Sequence, residues 1–244
     1  MPASPSRMVV YRAHTGEYPI TNILQRTGPA IAKVYGPINR MNFLAHAYLS
    51  FGKPGLLVGN LIADFVRGNR QYGFDPAIQA GIRLHRAIDQ FTDNHEATHR
   101  AKKLMATATG RYSGVFTDVI YDHFLACDPA YFSGNALFVF AHKTYQTLDQ
   151  YQGIFPERFQ QIFPYMEEYD WLYGYRLMEN IAHSFTGIYH RAKFLPESDK
   201  AFIAFERCYE ELRSCYHSFM PEVTRFAREY LSRSSKERLP DHRI

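Results

Sequence analysis

The apolar residues of this chain recur at intervals of three and four positions from Met41 onward, which is typical of the buried face of an α-helix. Ile78 and Ile82 follow this interval within the segment 76–106, as do Leu84, Ile88 and Phe91. The segment 197–219 carries a longer stripe of the same kind, formed by Phe202, Phe205, Tyr209, Leu212, Tyr216 and Phe219. No segment alternates apolar and polar residues for long enough to predict a β-strand. The sequence therefore predicts an all-α fold.

Glycine, proline and polar turn residues divide this periodic region into successive helices. A proline directly after Asp75 is typical of the first turn of a helix, and Gly68 is typical of a helix end. These signals predict helices at about 42–50, 56–67, 76–106, 115–126, 135–150, 157–163, 171–191, 197–219 and 222–232. Because 244 residues fit one domain of ordinary size, we expect a single-domain helical bundle.

The two ends of the chain differ in composition from the region between them. Residues 1–40 are rich in proline and glycine and have no sustained helical interval. We predict a flexible N-terminal extension at 1–40, a helical domain at 41–232 and a flexible polar tail at 233–244. Met41 opens a compact apolar segment, so one explanation is that it is the natural first residue. A short targeting or regulatory arm is the alternative explanation.

The net charge of +4 arises entirely from the N-terminal extension, which contains five basic residues and one acidic residue. Residues 41–244 therefore balance 23 basic against 23 acidic groups. The global charge consequently gives no argument that the helical domain binds nucleic acid.

Three further absences in the sequence bear on where the protein works. No apolar run reaches the roughly 18 residues that a membrane span requires. The first residues lack the apolar core and cleavage site of a secretory signal. The three cysteines are an odd number without metal-type CxxC spacing, which favours reduced thiols. We therefore expect a cytoplasmic protein, and the sequence does not predict its oligomeric state.

Histidines and aspartates are concentrated in the first half of the predicted domain. The candidate members of a common site are His46, Asp64, His85, Asp89, Asp122 and His123. His85 and Asp89 are four residues apart, so they share one helix face. Apolar residues surround these polar ones, and an ionised carboxylate in such surroundings needs a partner charge or a metal ion. Several helices that each direct such a side chain inward can build one metal site.

The residue types indicate which ions such a site would hold. Mixed histidine and aspartate ligation suits Mn²⁺, Fe²⁺ or Zn²⁺, and a carboxylate-rich set favours Mn²⁺ or Mg²⁺. An ion of this kind can activate water and neutralise charge on a phosphoryl oxygen. The alternative is that these side chains are exposed and pair with arginines, as Asp89 could with Arg86 and Asp64 with Arg67. Spacing alone does not distinguish the two interpretations.

Four segments of the chain, in their order and spacing, resemble the acyl carrier protein phosphodiesterase family. They are MNFLAH at 41–46, GNLIADFVRG at 59–68, GIRLHRAID at 81–89 with TDN at 92–94, and DVIYDHFL at 118–125. The resemblance extends from Met41 to about residue 230, and the four blocks together are far more specific than any one of them. It implies a distorted version of the helical HD-type phosphohydrolase fold. The adjacent His-Asp of the ordinary HD signature is reversed here, as Asp122-His123, so HD ligand roles do not transfer directly.

The resemblance also implies an activity and a set of site residues. The activity is Mn²⁺-dependent hydrolysis that releases phosphopantetheine from holo acyl carrier protein, with Mg²⁺ or Fe²⁺ as alternative ions. The expected catalytic residues are Asp64, His85, Asp122 and His123. The expected metal ligands are His46, Asp64, His85, Asp89 and Asp122. We also expect Asn60, Arg67, Arg83 and Arg86 to bind the substrate. Arg83 and Arg86 flank His85 and could reach phosphate oxygens, with surface ion pairing as the alternative for these two.

Two other functions remain open at the level of sequence. The same metal site could hydrolyse a nucleotide or another small phosphodiester, as in many HD-type proteins. A noncatalytic helical module that binds the carrier protein is the third interpretation. Because carrier proteins are strongly acidic, the interpretation that the protein acts on holo acyl carrier protein also predicts a local basic patch near the site.

Overall fold

The computed structural model describes residues 43–192 and 199–236. Within these ranges the chain forms α-helices, short 3-10 helices and connecting turns, and it contains no strand. The predicted all-α fold is confirmed. The predicted N-terminal extension at 1–40 and the last eight residues of the predicted tail lie outside the described residues. No helix in the described part of the chain is both long and apolar enough to cross a membrane.

Eleven α-helices follow one another along the described residues. They are α1 (Phe43–Tyr48), α2 (Pro54–Ile62), α3 (Pro76–Asn94), α4 (Glu96–Thr109), α5 (Ser113–Cys127), α6 (Ala136–Asp149), α7 (Glu157–Glu168), α8 (Trp171–Gly174), α9 (Met178–Arg191), α10 (Asp199–Arg207) and α11 (Tyr209–Lys236). Two 3-10 helices, Ala63–Phe65 and Gly68–Gly73, connect α2 to α3. The connection matters for function because it carries Asp64 and Arg67.

Helices α2 and α3 approach each other so closely that their backbones touch at a pair of glycines. A methyl group placed on Gly59 would lie 2.0 Å from the carbonyl oxygen of Ile78, and one on Gly81 would lie 2.4 Å from that of Leu56. Only a residue without a side chain fits at such a separation. This contact sets α2 against α3 and brings Asn60, next to Gly59, toward the part of α3 that carries His85.

The predicted helix 76–106 is in fact two helices. His95 has an extended backbone between α3 and α4, with φ −76° and ψ 133°. Its Nδ1 atom accepts a hydrogen bond from the backbone N–H of Ala97 at 3.2 Å, so the side chain caps α4. The apolar interval continues across this break, which is why periodicity alone did not reveal it. The predicted helix 171–191 is likewise divided, into α8 and α9.

Near the C-terminus, the structure lacks a helix break that the sequence predicted. The break expected near Pro221 is absent, because α11 continues through that residue to Lys236 and separates from α10 at Cys208 instead. A proline inside a helix removes one backbone hydrogen bond and strains the preceding turn. Buried Phe219 and Val223 on either side of Pro221 belong to the hydrophobic core. Their burial stabilises the helical path across the proline.

Candidate metal centre

Four polar side chains from three consecutive parts of the chain meet beside the crossing of α2 and α3. His46 comes from α1, His85 and Asp89 from α3, and Asp64 from the 3-10 helix after α2. The Nε2 atom of His46 lies 3.3 Å from Oδ1 of Asp89, and Nε2 of His85 lies 3.4 Å from Oδ2 of the same carboxylate. Nε2 of His85 is also 3.3 Å from Oδ1 of Asp64. Both imidazoles therefore direct Nε2 toward the carboxylate of Asp89, and that of His85 also faces Asp64.

The site is buried on one side and open on the other. The side chains of His46 and His85 are 2% and 6% exposed, whereas that of Asp64 is 34% exposed. The two imidazole rings stack with their centres 4.0 Å apart. Asp64 is thus the member of the group that solvent, or a substrate, can reach most readily.

His46 is held from behind by Asn60 and Ser50. Nδ1 of His46 lies 2.7 Å from Oδ1 of Asn60, and the Asn60 amide nitrogen donates to the carbonyl oxygen of His46 at 2.8 Å. The Ser50 hydroxyl donates to the same carbonyl oxygen at 2.8 Å and accepts from the Asn60 amide at 3.1 Å. All three side chains are buried. The imidazole orientation is therefore set by the interior of the protein.

The four side chains at the site influence one another's protonation. Burial lowers the pKa of His46, and the neighbouring His85 acts in the same direction, so His46 is neutral. Burial also acts to lower the pKa of His85, but contacts with Asp64 and Asp89 outweigh this effect and raise that pKa to about 9. Burial acts to raise the pKa of Asp89, but interactions with its neighbours, protonated His85 among them, hold it well below its usual value. The group thus combines an ionised carboxylate with a single imidazolium.

The donor set fits a divalent cation. Ligand atoms of His46, His85 and Asp89 all lie within 4.8 Å of one another. Nε2 of His46 is buried, faces a carboxylate and has no hydrogen-bond partner among the described residues. A buried polar atom without a hydrogen-bond partner is unfavourable, and a cation between this nitrogen and the carboxylate would interact with both. Two imidazoles and a carboxylate suit Mn²⁺, Fe²⁺ or Zn²⁺.

Asp122 was predicted as a metal ligand and catalytic residue, but the structure uses its carboxylate elsewhere. Its two oxygens accept hydrogen bonds from the backbone N–H groups of Leu44 at 3.0 Å and Ala45 at 2.8 Å. The side chain is fully buried. Burial raises the pKa of Asp122 and outweighs the opposing effect of the two amide donors. Asp122 therefore anchors the first turn of α1, and it reaches the metal group only indirectly, through His46.

His123, predicted as a catalytic residue, also lies outside the group. Its Nδ1 atom lies 2.8 Å from the carbonyl oxygen of Tyr175, and its Nε2 atom lies 2.9 Å from the hydroxyl of Tyr209. Burial lowers the pKa of His123 more than the Tyr175 carbonyl raises it. Because both ring nitrogens already have partners in the protein, His123 is not placed to transfer a proton at the metal group.

The four predicted substrate-binding residues occupy three different environments. Asn60 is fully buried behind His46, so its amide does not face solvent. Arg67 is exposed, and Arg86 donates to Gln71 at 2.8 Å and to the carbonyl oxygen of Val66 at 3.5 Å. Arg86 thereby holds the segment that carries Arg67. Arg83 instead lines a separate groove of about 370 Å³ with Lys53, Leu56, Ala80, Tyr230, Leu231 and Ser234.

One member of the site was missed at the level of sequence. Ser50 contacts both His46 and Asn60, yet serine has no spacing signature that distinguishes it from other buried serines. The only signal was its position four residues after His46, which let the hydroxyl reach the carbonyl oxygen of that residue.

The fold and the site together define an all-α protein with a buried histidine–aspartate group that can hold a divalent cation. A family model described as acyl carrier protein phosphodiesterase matches residues 41–223. The chain belongs to this family and is a phosphodiesterase.

Curated relatives named acyl carrier protein phosphodiesterase match most of the chain. The protein from Yersinia pestis is 34% identical over 189 residues, which cover 77% of this chain and 97% of the relative. The protein from Photorhabdus laumondii is 32% identical over 186 residues, covering 74% and 92%. The protein from Serratia proteamaculans is 30% identical over 194 residues, covering 78% and 98%. No solved structure matches the chain, so the HD-type relationship stays a prediction.

Proposed function

We propose that this protein hydrolyses the phosphodiester that joins phosphopantetheine to a serine of acyl carrier protein, with a divalent cation, Mn²⁺ in the first instance, as cofactor. The relatives are named for action on acyl carrier protein, which supports the choice of substrate. The observation that supports the chemistry is the convergence of His46, His85 and Asp89, whose ligand atoms lie within 4.8 Å of one another. Asp64 adjoins this group at its accessible side.

The role that we propose for each of the four residues follows from how deeply its side chain is buried. His46, His85 and Asp89 are the inner residues, and they would hold the cation. A bound divalent cation supplies positive charge for a phosphoryl oxygen and makes a bound water more acidic. Asp64 is the most exposed of the four, and we assign it the role of orienting the attacking water and accepting its proton.

The products follow from the bond that breaks. The oxygen of water forms a new bond to phosphorus, and the bond between phosphorus and the serine oxygen of the carrier protein breaks. The serine oxygen gains a proton equivalent to the one that Asp64 takes from the water, which restores the serine hydroxyl, returns Asp64 to its carboxylate form and leaves the apo carrier protein. Phosphopantetheine is released as a phosphate monoester. His123 takes no part in this scheme because both of its ring nitrogens are bound within the protein.

We assign recognition of the acidic carrier protein to the segment that follows Asp64. Arg67 and Arg70 are exposed there, and Arg86 braces the segment through Val66 and Gln71. In the sequence, each of these three arginines lies close to Asp64 or His85 of the metal group. Cations at the rim of a site speed the encounter with an acidic partner and make it sensitive to salt.

The direct test is the intact mass of holo acyl carrier protein after incubation with metal-free and Mn²⁺-loaded enzyme. Loss of the mass of the phosphopantetheine arm, only with the loaded enzyme, is the expected result. An unchanged carrier-protein mass, together with hydrolysis of a nucleotide or another small phosphodiester, would overturn the proposed substrate. An equal rate without the cation would overturn the proposed cofactor.

A matched pair of variants tests the role of Asp64. Asp64→Asn keeps the size of the side chain but removes its ability to accept a proton, so kcat should fall by roughly 10²- to 10⁴-fold. Asp75→Asn is the control, because Asp75 is an exposed aspartate at the start of α3. Its kcat should be that of the wild type. Equal activity of the two variants would show that Asp64 is not the proton acceptor.

A further inference from the structure

The network behind His46 decides which of its two nitrogens carries the proton. The Asn60 amide group can be placed in only one orientation. Its nitrogen lies 2.8 Å from the carbonyl oxygen of His46, and exchanging the nitrogen and oxygen of the amide would set two acceptors against each other there. The Oδ1 atom of Asn60 must then be the atom that faces Nδ1 of His46 at 2.7 Å.

An acceptor on the Nδ1 side requires the proton of His46 to reside on Nδ1. Nε2 of neutral His46 is consequently an unprotonated lone pair, and it points at Asp89 from 3.3 Å. The other tautomer would place Nε2–H against Asp89 and leave two lone pairs opposed at Nδ1 and Asn60. The buried amide therefore excludes an otherwise favourable contact between His46 and Asp89.

We infer that Asn60 is a positioning residue that holds His46 in the tautomer whose Nε2 atom is ready to bind the cation. This inference rests on the proposed metal centre but concerns a property that the metal-free protein already has. Such outer partners of ligating histidines typically contribute 10- to 100-fold, roughly, to metal affinity or activity. His85 has no equivalent, because its Nδ1 atom is buried without a hydrogen-bond partner among the described residues.

Ser50 also takes part in this network, because its hydroxyl accepts a hydrogen bond from the Asn60 amide nitrogen. The Asn60 amide nitrogen has two protons, which go to the carbonyl oxygen of His46 and to the Ser50 hydroxyl oxygen. The Ser50 proton goes to the same carbonyl oxygen. Every donor and acceptor between the three side chains and that carbonyl is therefore matched, so rotating the amide is unfavourable.

The test is the ¹⁵N spectrum of the His46 ring in the metal-free enzyme, which distinguishes the two neutral tautomers. The wild type should show the proton on Nδ1. Asn60→Ala removes the acceptor at Nδ1 and should move the proton to Nε2. Asp75→Asn changes an exposed aspartate outside this network and is the control, which should show the wild-type tautomer.

Titration of the same proteins with Mn²⁺ supplies the second readout. Asn60→Ala should bind the ion about 10- to 100-fold more weakly, whereas Asp75→Asn should match the wild type. A proton on Nε2 in the wild type would overturn the inference, whether or not Asn60→Ala folds. So would a folded Asn60→Ala variant that keeps the proton on Nδ1 and the full affinity. Activity on acyl carrier protein does not enter either readout, so failure of the proposed function would be seen separately.

Discussion

Two helices of this molecule each contain a histidine and an aspartate with buried or partly buried side chains, and they use these residues in different ways. On α3, His85 and Asp89 face His46 and Asp64, and their polar atoms meet one another. On α5, Asp122 accepts two backbone N–H groups, and the neighbouring His123 binds a backbone carbonyl and a tyrosine hydroxyl. The first arrangement leaves a nitrogen lone pair facing a carboxylate, which favours a cation. The second satisfies the polar atoms within the protein and stabilises the fold.

The largest effect should come from removing the shared carboxylate on α3. Asp89→Asn takes one negative charge from between the two imidazoles, so cation binding and kcat should fall by about 10³-fold, the equivalent of several kcal/mol. Steady-state kinetics and Mn²⁺ titration measure both quantities. Asp93→Asn is the control one turn further along α3, where the carboxylate pairs with Lys102 at 2.8 Å. Similar losses in the two variants would contradict a special role for Asp89.

The next effect is the dependence of cation affinity on pH. The contacts with Asp64 and Asp89 raise the pKa of His85 to about 9 in the metal-free protein, so a proton occupies His85 at neutral pH. A cation must displace this proton, and its affinity should therefore rise about tenfold for each unit of pH between roughly 6.5 and 8.5. Calorimetry in buffers of different ionisation enthalpy should show release of about one proton per ion. Affinity that is constant over this range would contradict the binding of the cation by His85.

The stability of the metal-free protein should change with pH in the direction opposite to cation affinity, because it should fall as the pH rises. The pKa of His85 is higher in the folded chain than its usual value of about 6.5, so protonated His85 stabilises the fold. This contribution is fully present below pH of about 6.5 and is lost as the pH rises through about 9. Urea denaturation of the metal-free protein across this range measures it. Saturation with Mn²⁺ should remove the dependence at the upper end.

Asp122→Asn should affect stability instead of chemistry. An amide in place of the carboxylate turns one acceptor into a donor that faces a backbone N–H group, so unfolding should become easier by about 1–3 kcal/mol. Urea denaturation measures this change. The kcat of the folded variant should stay within about threefold of the wild type. Unchanged stability with a loss of kcat as large as that of Asp89→Asn would remove the distinction between the two regions.

The smallest effect concerns recognition. Arg67→Glu reverses an exposed charge next to Asp64, and KM for holo acyl carrier protein should rise about tenfold at low salt, with less effect at high salt. Arg83→Glu is the control, because Arg83 lines a different groove with Lys53. Its KM should stay within about twofold of the wild type. Equal effects of the two reversals would mean that the charge of the whole surface, not the segment after Asp64, guides the substrate.

Helical period was sufficient to predict the fold class, but it did not locate the helix ends. The apolar interval continues through His95, but the extended backbone of that residue, whose imidazole caps α4 at Ala97, separates α3 from α4. Pro221 is a helix breaker by local rules, yet buried neighbours in the core keep α11 continuous. In both places a tertiary contact or a side-chain cap outweighed the local signal.

The part of the candidate site that lies on a single helix could be predicted from the sequence. The spacing of His85 and Asp89 is fixed by α3 alone, so sequence was sufficient to place them together. The meeting of His46 and Asp64 with this pair depends on the close contact of α2 and α3 at Gly59 and Gly81, which spacing does not reveal. Asp122 shows the converse, because it was predicted as a ligand while its partners are backbone amides of another helix.

The most direct test is to locate the ion itself by anomalous diffraction at the manganese edge, from crystals of the Mn²⁺-loaded enzyme. One strong peak is expected among Nε2 of His46, Nε2 of His85 and the carboxylate of Asp89, with Asp64 at its open side. A peak beside Asp122 and His123, or no ordered ion at all in an enzyme that is active only with Mn²⁺, would contradict the assignment of the metal centre.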